Sequence, residues 1–151
     1  MKAVILMGNM GAGKTPIATK MAKIGWGRLA IDDFREERSD ENQARSQLLE
    51  AIAGASKKFV YETTCANQIY PASIRAIEAL EIPIIRILLK VSESNSRQRV
   101  EERFQANWFG LPHDKSFAYI QEKLMFEPYD YVFDTDQLSA EEIFREILKI
   151  V

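Results

Sequence analysis

The stretch from Gly8 to Thr15 constrains the fold of this chain more than any other part of the sequence. It reads GNMGAGKT and matches the pattern G-x-x-x-x-G-K-[ST], in which glycines let the backbone turn several N–H groups inward around phosphate oxygens. The apolar run KAVILM precedes it and the helical pattern TPIATKMAKI follows it, so a strand, a loop and a helix succeed one another. The stretch therefore predicts a phosphate-binding loop at the start of a helix.

The motif also assigns roles to individual side chains. Lys14 is placed to reach the β- and γ-phosphates of a nucleotide, and the Thr15 hydroxyl is a candidate ligand of Mg²⁺. The free N–H groups and the dipole of the following helix favour the same anion. We therefore expect ATP and Mg²⁺ as cofactors. The predicted cofactor-binding residues are Gly8, Asn9, Met10, Gly11, Ala12, Gly13, Lys14 and Thr15.

Pro16 follows the motif at a position where a backbone N–H commonly contacts the α-phosphate in proteins with this loop. Proline is tolerated in the first turn of a helix, because its missing N–H would have no partner within the helix. Losing one hydrogen bond to a charged group costs about 1.5–3 kcal/mol at most. We predict that Pro16 weakens nucleotide binding without abolishing it.

Short apolar runs alternate with helical patterns along the whole chain. Ser139 and Glu142 have the spacing of a capping box at the start of the last helical pattern. This alternation predicts an α/β fold, with a parallel sheet between helices on both faces, as a single domain over residues 1–151. The five runs that read as strands are 2–7, 27–31, 57–62, 82–91 and 129–134.

Composition argues against several classes of protein. A net charge of −2 and a pI near 5.6 give no overall basic charge for gripping long nucleic acids, and they leave open a locally basic groove, because the lysines and arginines are not evenly spread. The single cysteine, Cys65, and the single histidine, His113, cannot form an internal disulfide or close a zinc site. The first apolar run is too short for a signal peptide or a membrane span. We expect a cytoplasmic protein with no membrane partner, in which His113 is exposed.

Candidate acids follow two of the predicted strands. In open α/β sheets ligands bind beyond the carboxyl ends of the strands, so Asp32, in the stretch DDFR, should share a crevice with the phosphate loop. A carboxylate there can accept a proton from an attacking hydroxyl or hold Mg²⁺, and Arg35 can anchor an anionic acceptor. The alternative is a solvated loop whose aspartates cap a helix. The sequence does not separate Asp32 from Glu62, at the end of the third strand, as the acid beside the metal.

Together with GNMGAGKT, the stretches DDFR, VYETT and YDYVFDTDQLSAEEI resemble the small P-loop kinases, and among them the polynucleotide 5′-hydroxyl kinases and zeta-toxin-like kinases. The resemblance implies a nucleoside-monophosphate-kinase-like sheet of order 2-3-1-4-5, with a short helical lid over about residues 95–118. It implies that Asp32 is the catalytic base and that Arg35 contacts a phosphate of the acceptor. It also places Glu62 among the substrate-binding residues.

The resemblance assigns a catalytic role to arginines of the lid, which in that family close on the transferring phosphoryl group. In this sequence Arg99 and Arg103 occupy that stretch, four residues apart and therefore on one helical face. An arginine that neutralises charge on the transferring group is worth about 10³–10⁵ in rate. The alternative is a charged, solvated helix surface in which Glu101 and Glu102 pair with these arginines.

The leading interpretation is a kinase that transfers the γ-phosphate of Mg·ATP to a hydroxyl of a small molecule, a nucleotide or a polynucleotide 5′ end. Two alternatives come from other classes: an ATPase or nucleotide-dependent switch without an acceptor, and a degenerate ATP-binding protein that has lost turnover. A switch GTPase should carry an N-K-x-D guanine motif, which this sequence lacks. The acceptor and the oligomeric state have no signature in the sequence.

Overall fold

The computed structural model describes residues 1–35, 40–103, 107–108 and 111–151. Seven strands lie within these residues: β1 Ala3–Gly8, β2 Gly27–Leu29, β3 Phe59–Thr63, β4 Ile84–Lys90, β5 Asn107–Trp108, β6 Leu111–Pro112 and β7 Tyr131–Asp134. Five of them form one parallel sheet in the order β2-β3-β1-β4-β7, and β5 and β6 form a separate antiparallel pair. Counted along the parallel sheet, this is the predicted order 2-3-1-4-5.

Helices cover both faces of the sheet, which confirms the predicted three-layer α/β/α arrangement. The helices are α1 Lys14–Lys23, α2 Glu41–Ala53, α3 Tyr70–Glu78, α4 Glu93–Glu102, α5 His113–Leu124 and α6 Ala140–Ile150, with a 3-10 turn at Ile31–Phe34. The predicted capping box is present: the Ser139 side chain accepts from the Glu142 N–H, and the Glu142 side chain accepts from the Ser139 N–H. Within the described part of the chain, every helix is too short or too polar to cross a membrane.

β1 is the centre of the molecule, paired with β3 on one side and β4 on the other. Successive side chains of a strand point to opposite faces. Ala3, Ile5 and Met7 therefore pack in the core that contains buried side chains of α2 and α5, whereas Val4 and Leu6 pack with those of α1 and α6. Because both faces are covered, the strand is apolar throughout instead of alternating with polar residues.

The parallel register brings the carboxyl ends of the strands to one edge of the sheet, and the phosphate loop begins there. Gly8 ends β1 opposite Leu89 of β4. A Cβ on Gly8 would lie 2.9 Å from the Ala12 Cβ and 3.0 Å from the Leu89 carbonyl oxygen. The close approach of the loop to β4 therefore requires glycine at this position.

The segment assigned to a lid, residues 95–118, is helical in α4 and α5 and contains the β5–β6 pair between them. No pattern in the sequence predicts this pair. Residues 104–106 and 109–110 of the lid lie outside the described residues. β2 is also shorter than predicted, since the chain leaves the sheet after Leu29 and turns at Ile31–Phe34.

Candidate active site

The phosphate loop has a backbone that only glycine adopts easily at two points. Gly11 and Gly13 both lie in the left-handed region, with φ of 69° and 89°. A Cβ at Gly11 would also lie 3.1 Å from the Ser96 carbonyl oxygen and 3.2 Å from the Arg99 Cβ. The glycines of the motif therefore serve both the turn of the loop and its contact with α4.

Lys14 is folded back over the loop that it follows. Its Nζ donates to the carbonyl oxygens of Gly8 and Asn9, at 2.8 and 3.0 Å. Burial lowers the pKa of Lys14 to about 8, although Glu62 acts in the opposite direction.

α1 begins at Lys14, and no described side chain caps its first turn. The N–H groups at this helix start are thus available to an anion beside the Lys14 ammonium group.

Glu62 is the acid that contacts Thr15. The Thr15 hydroxyl donates to Glu62 Oε1 at 2.8 Å, and Arg28 Nε donates to the other oxygen, Oε2, at 2.5 Å. Arg28 also binds both oxygens of Asp33 through Nη1, at 2.8 and 2.9 Å. The Glu62 side chain is only 6% exposed, so these two partners fix its position. Glu62 therefore contacts Thr15 whereas Asp32 pairs with Arg35, and which of the two acids lies beside a metal stays a prediction. Arg28 is a contributor that sequence reasoning missed.

Asp32 lies in the 3-10 turn after β2 and lines the same cleft as Lys14, Thr15 and Glu62. The cleft has a volume of about 130 Å³. The Asp32 side chain is 70% exposed, and its Oδ1 accepts a hydrogen bond from Arg35 Nη1 at 2.8 Å. The cleft therefore brings together the side chains to which the sequence assigns a role in phosphate, metal or acceptor chemistry, and these roles stay predictions. They are Lys14, Thr15, Asp32, Arg35 and Glu62.

The two predicted catalytic arginines line a different cavity, of about 400 Å³, on the side of the loop that also exposes Pro16. Arg99 Nη1 donates to the Gly11 carbonyl oxygen at 2.8 Å, and Nη2 donates to the Thr135 carbonyl oxygen at 3.0 Å. Arg103 is exposed just after α4. Arg99 thus ties the loop to the segment after β7, and contact of either arginine with a transferring phosphoryl group stays a prediction.

Buried polar contacts from α4 and α5 hold the phosphate loop. Ser96 Oγ donates to the Met10 carbonyl oxygen at 2.6 Å and lies 2.9 Å from His113 Nε2, and Asn9 Nδ2 donates to the Phe117 carbonyl oxygen at 3.0 Å. The expectation of an exposed His113 was wrong, because α5 begins there and packs its first turn against α4. Contacts between residues so far apart have no signal in the local sequence.

Besides the cleft and the cavity beyond Pro16, the structure has a cavity of about 450 Å³. It adjoins the cleft through the shared residues Arg35 and Asn67. In its wall Arg35 Nε and Nη2 donate to the two carboxylate oxygens of Glu41, at 3.1 and 2.8 Å. These bonds hold the pKa of Glu41 below its usual value. Sequence reasoning missed Glu41 and Arg45, whose spacing of four residues is common on any exposed helix. The complete lining is Arg35, Glu41, Arg45, Ala66, Asn67, Gln68, Ile69 and Tyr119.

The sequence matches no family model and no curated protein. Its fold recurs in solved structures. The YorR protein of Bacillus subtilis, in complex with phosphorylated GDP, has 17% identity and a TM-score of 0.68 over 98% of this chain and 94% of its own. Shikimate kinase from Acinetobacter baumannii, in complex with shikimate, has 19% identity and a TM-score of 0.63 over 98% and 91%. The fold is that of the small P-loop kinases.

A gluconokinase from Sinorhizobium meliloti 1021 has 16% identity and a TM-score of 0.62, over 98% of this chain and 90% of its own. At such identities the likeness shows the fold, and the acceptors of these enzymes are properties of those enzymes. The narrower resemblance to polynucleotide and zeta-toxin-like kinases stays a prediction.

Proposed function

We propose that this chain is a kinase that moves the γ-phosphoryl group of Mg·ATP to a hydroxyl of a small acceptor. The observation that carries the proposal is the single cleft in which Lys14, the Thr15–Glu62 pair and Asp32 meet. Phosphoryl transfer depends on positioning and charge stabilisation, and this cleft combines an anion site, a candidate metal site and a solvated carboxylate. The fold shared with proteins named as kinases supports the same class.

The residues of the cleft fit ATP and Mg²⁺. The left-handed glycines, the uncapped start of α1 and the Lys14 ammonium group form an anion site for phosphates. Mg²⁺ usually keeps substrate phosphates and waters among its ligands, and the Thr15 hydroxyl oxygen would be its ligand from this chain, oriented by the hydrogen bond that it donates to Glu62. Bound Mg·ATP would supply the phosphoryl group and neutralise charge on its phosphate oxygens.

In the proposed reaction the acceptor hydroxyl oxygen forms a bond to the γ-phosphorus while the bond from that phosphorus to ADP breaks. Asp32 takes the proton of the hydroxyl. Arg35 holds one oxygen of Asp32, so the other oxygen is the candidate proton acceptor. Glu62 does not suit this step, because Thr15 and Arg28 already occupy both of its oxygens.

The cavity beyond Pro16 is the proposed nucleoside site. It lies between the phosphate loop and the segment from Thr135 to Ala140. Arg99 joins these two walls through its bonds to Gly11 and Thr135, and Arg103 lies at the rim. We propose that both arginines act on the nucleotide side of the cleft, opposite Asp32.

The variant Asp32→Asn tests this proposal. We expect Mg·ATP affinity within about twofold of the original, because the Asp32 side chain is held by Arg35 and not by the phosphate loop, and loss of phosphoryl transfer by about 10²-fold or more. Binding would be measured by calorimetry, and transfer with labelled ATP and a panel of hydroxyl compounds.

Glu146→Gln is the control, since Glu146 is an exposed acid of α6 that pairs with Lys149 and lines neither the cleft nor the cavity beyond Pro16. It should leave transfer to the acceptors close to the original rate. Rapid ATP hydrolysis without an acceptor, equal in the original protein and in Asp32→Asn, would instead favour the ATPase alternative.

A further inference from the structure

We propose that the cavity beside the cleft binds an acceptor bearing a carboxylate or phosphate group, and that Arg45 is the ligand of that group. The inference rests on the proposed function, because the cavity adjoins the cleft that contains Asp32. Its volume of about 450 Å³ lies within the range of small-molecule sites. The charges of its wall indicate which class of molecule fits.

Arg45 is the cation of this wall whose hydrogen bonds are incomplete. Its Nε is buried and has no hydrogen-bond partner among the described residues. The nearest carboxylate oxygen, Glu41 Oε1, is 3.4 Å away and already accepts from Arg35 at 2.8 Å. The Arg45 side chain is nevertheless 29% exposed and lines the cavity, so an anionic group of a ligand can form charge-assisted bonds to its guanidinium group.

Arg35, by contrast, has each of its guanidinium nitrogens engaged. Nε and Nη2 donate to Glu41, and Nη1 donates to Asp32. These bonds use three of the five N–H donors of Arg35, and its charge already faces two carboxylates, those of Glu41 and Asp32. Arg35 is better placed to orient Asp32 against the cavity wall, which leaves the anion of the acceptor to Arg45.

The cavity also has features suited to the rest of such a molecule. Among the described residues of the wall, Arg35 and Arg45 are the cations, and both lie beside the single carboxylate of Glu41. The amides of Asn67 and Gln68 can bind hydroxyl groups, and Ile69 and Tyr119 offer apolar surface for a carbon skeleton. Asn67 lines the cleft as well, so a molecule anchored at Arg45 extends toward Asp32. The class that fits is a small polyhydroxylated acid or polyol phosphate.

The test measures binding of three six-carbon probes by calorimetry: sorbitol, gluconate and sorbitol 6-phosphate. Mg·ADP is present throughout, so that the phosphate loop is occupied. We expect at least one charged probe to bind more tightly than sorbitol. Arg45→Met should weaken that binding by about 10- to 100-fold and leave sorbitol unchanged. Arg45→Lys should lose less, because it retains the charge without the planar fork.

Arg145→Met is the matched control, because it removes the same charge from α6, on the other face of the sheet. It should leave the affinity of all three probes unchanged. Thermal unfolding of each variant establishes that the fold is retained. The comparison of gluconate with sorbitol 6-phosphate shows whether the anionic group is a carboxylate or a phosphate.

Failure of both charged probes to bind more tightly than sorbitol overturns the inference, as does binding that Arg45→Met leaves unchanged. Different results of these experiments would contradict the proposed function. Arg45-dependent binding without phosphoryl transfer to any hydroxyl compound supports the inference and contradicts the kinase. Transfer to neutral acceptors alone supports the kinase and overturns the inference.

Discussion

The phosphate loop and the cavity of about 450 Å³ lie at the same edge of the sheet, yet they are built differently. The cavity, which Arg35, Glu41 and Arg45 line, is called the acceptor-side cavity below. The loop is one continuous segment between β1 and α1, held by buried hydrogen bonds such as that of Ser96 to Met10. The charged wall of the cavity is held by ion pairs of Glu41, whose side chain is 41% exposed. Exposed ion pairs contribute little and exchange easily, whereas buried hydrogen bonds hold one geometry.

The same contrast separates the two acids. Glu62 is 6% exposed and has two fixed partners, whereas Asp32 is 70% exposed and has one. A rigid oxygen set suits a metal site, and a solvated carboxylate suits exchange of a proton with an acceptor. Under the proposed function, the difference means that phosphate binding depends on a preorganised segment. The choice of acceptor then depends on side chains that can be exchanged without disturbing that segment.

Lys14→Met should have the largest effect, because it removes the cation of the preorganised side. We expect transfer to fall by about 10³-fold or more and nucleotide affinity to fall markedly. The Lys20→Met variant, which removes an exposed lysine of the same helix, should leave both unchanged. Calorimetry and single-turnover assays measure the two quantities. Full activity in Lys14→Met would break the distinction between the two regions.

The pKa of Lys14 adds a pH dependence. Because burial lowers this pKa to about 8, the ligand-free protein loses the Lys14 charge as pH rises through that value. Nucleotide affinity should therefore fall between about pH 7 and about pH 9, and the fall should disappear in Lys14→Met. Between about 8 and the ordinary value of 10.5 the unfolded chain binds more protons, so the Lys14 contribution to the free energy of unfolding rises with pH there.

Glu62→Gln should have an intermediate effect that is specific to the metal. Replacing a group that orients a metal ligand typically costs about 10- to 100-fold in metal affinity, so the Mg²⁺ concentration for half-maximal transfer should rise by that factor. The affinity for the charged acceptor should not change, because Glu62 does not line the acceptor-side cavity. An acceptor affinity that falls as steeply as Mg²⁺ affinity would show that the two sides are not separate.

Pro16→Thr should have the smallest effect, and it is a gain. The substitution restores the backbone N–H at the edge of the proposed nucleoside cavity, and we expect nucleotide affinity to rise by about tenfold, the lower end of what one hydrogen bond to a charged group contributes. Pro16→Ala, which restores the N–H without a hydroxyl, should give a similar gain. Unchanged affinity in both variants would show that Pro16 does not weaken the nucleotide side.

Much of the fold could be predicted because its signals are local. The buried run of β1, the loop glycines and the capping box at Ser139 each depend on neighbours in the sequence. The β5–β6 pair was missed, since strands of two residues carry no period. The burial of His113 was also missed, because it depends on α4, which belongs to another part of the chain.

By itself the sequence determined the strand–loop–helix that presents Lys14 and Thr15, and the order of elements that builds the sheet, because both follow from residues adjacent along the chain. Only the tertiary structure decided that Glu62 contacts Thr15, which lies 47 positions away, and that Arg28 holds its other oxygen. The tertiary structure also placed Arg45 in one cavity wall with residues 66–69, which follow β3 in the chain. Contacts of this kind depend on how strands and helices pack in space, and no local pattern of residues specifies that packing.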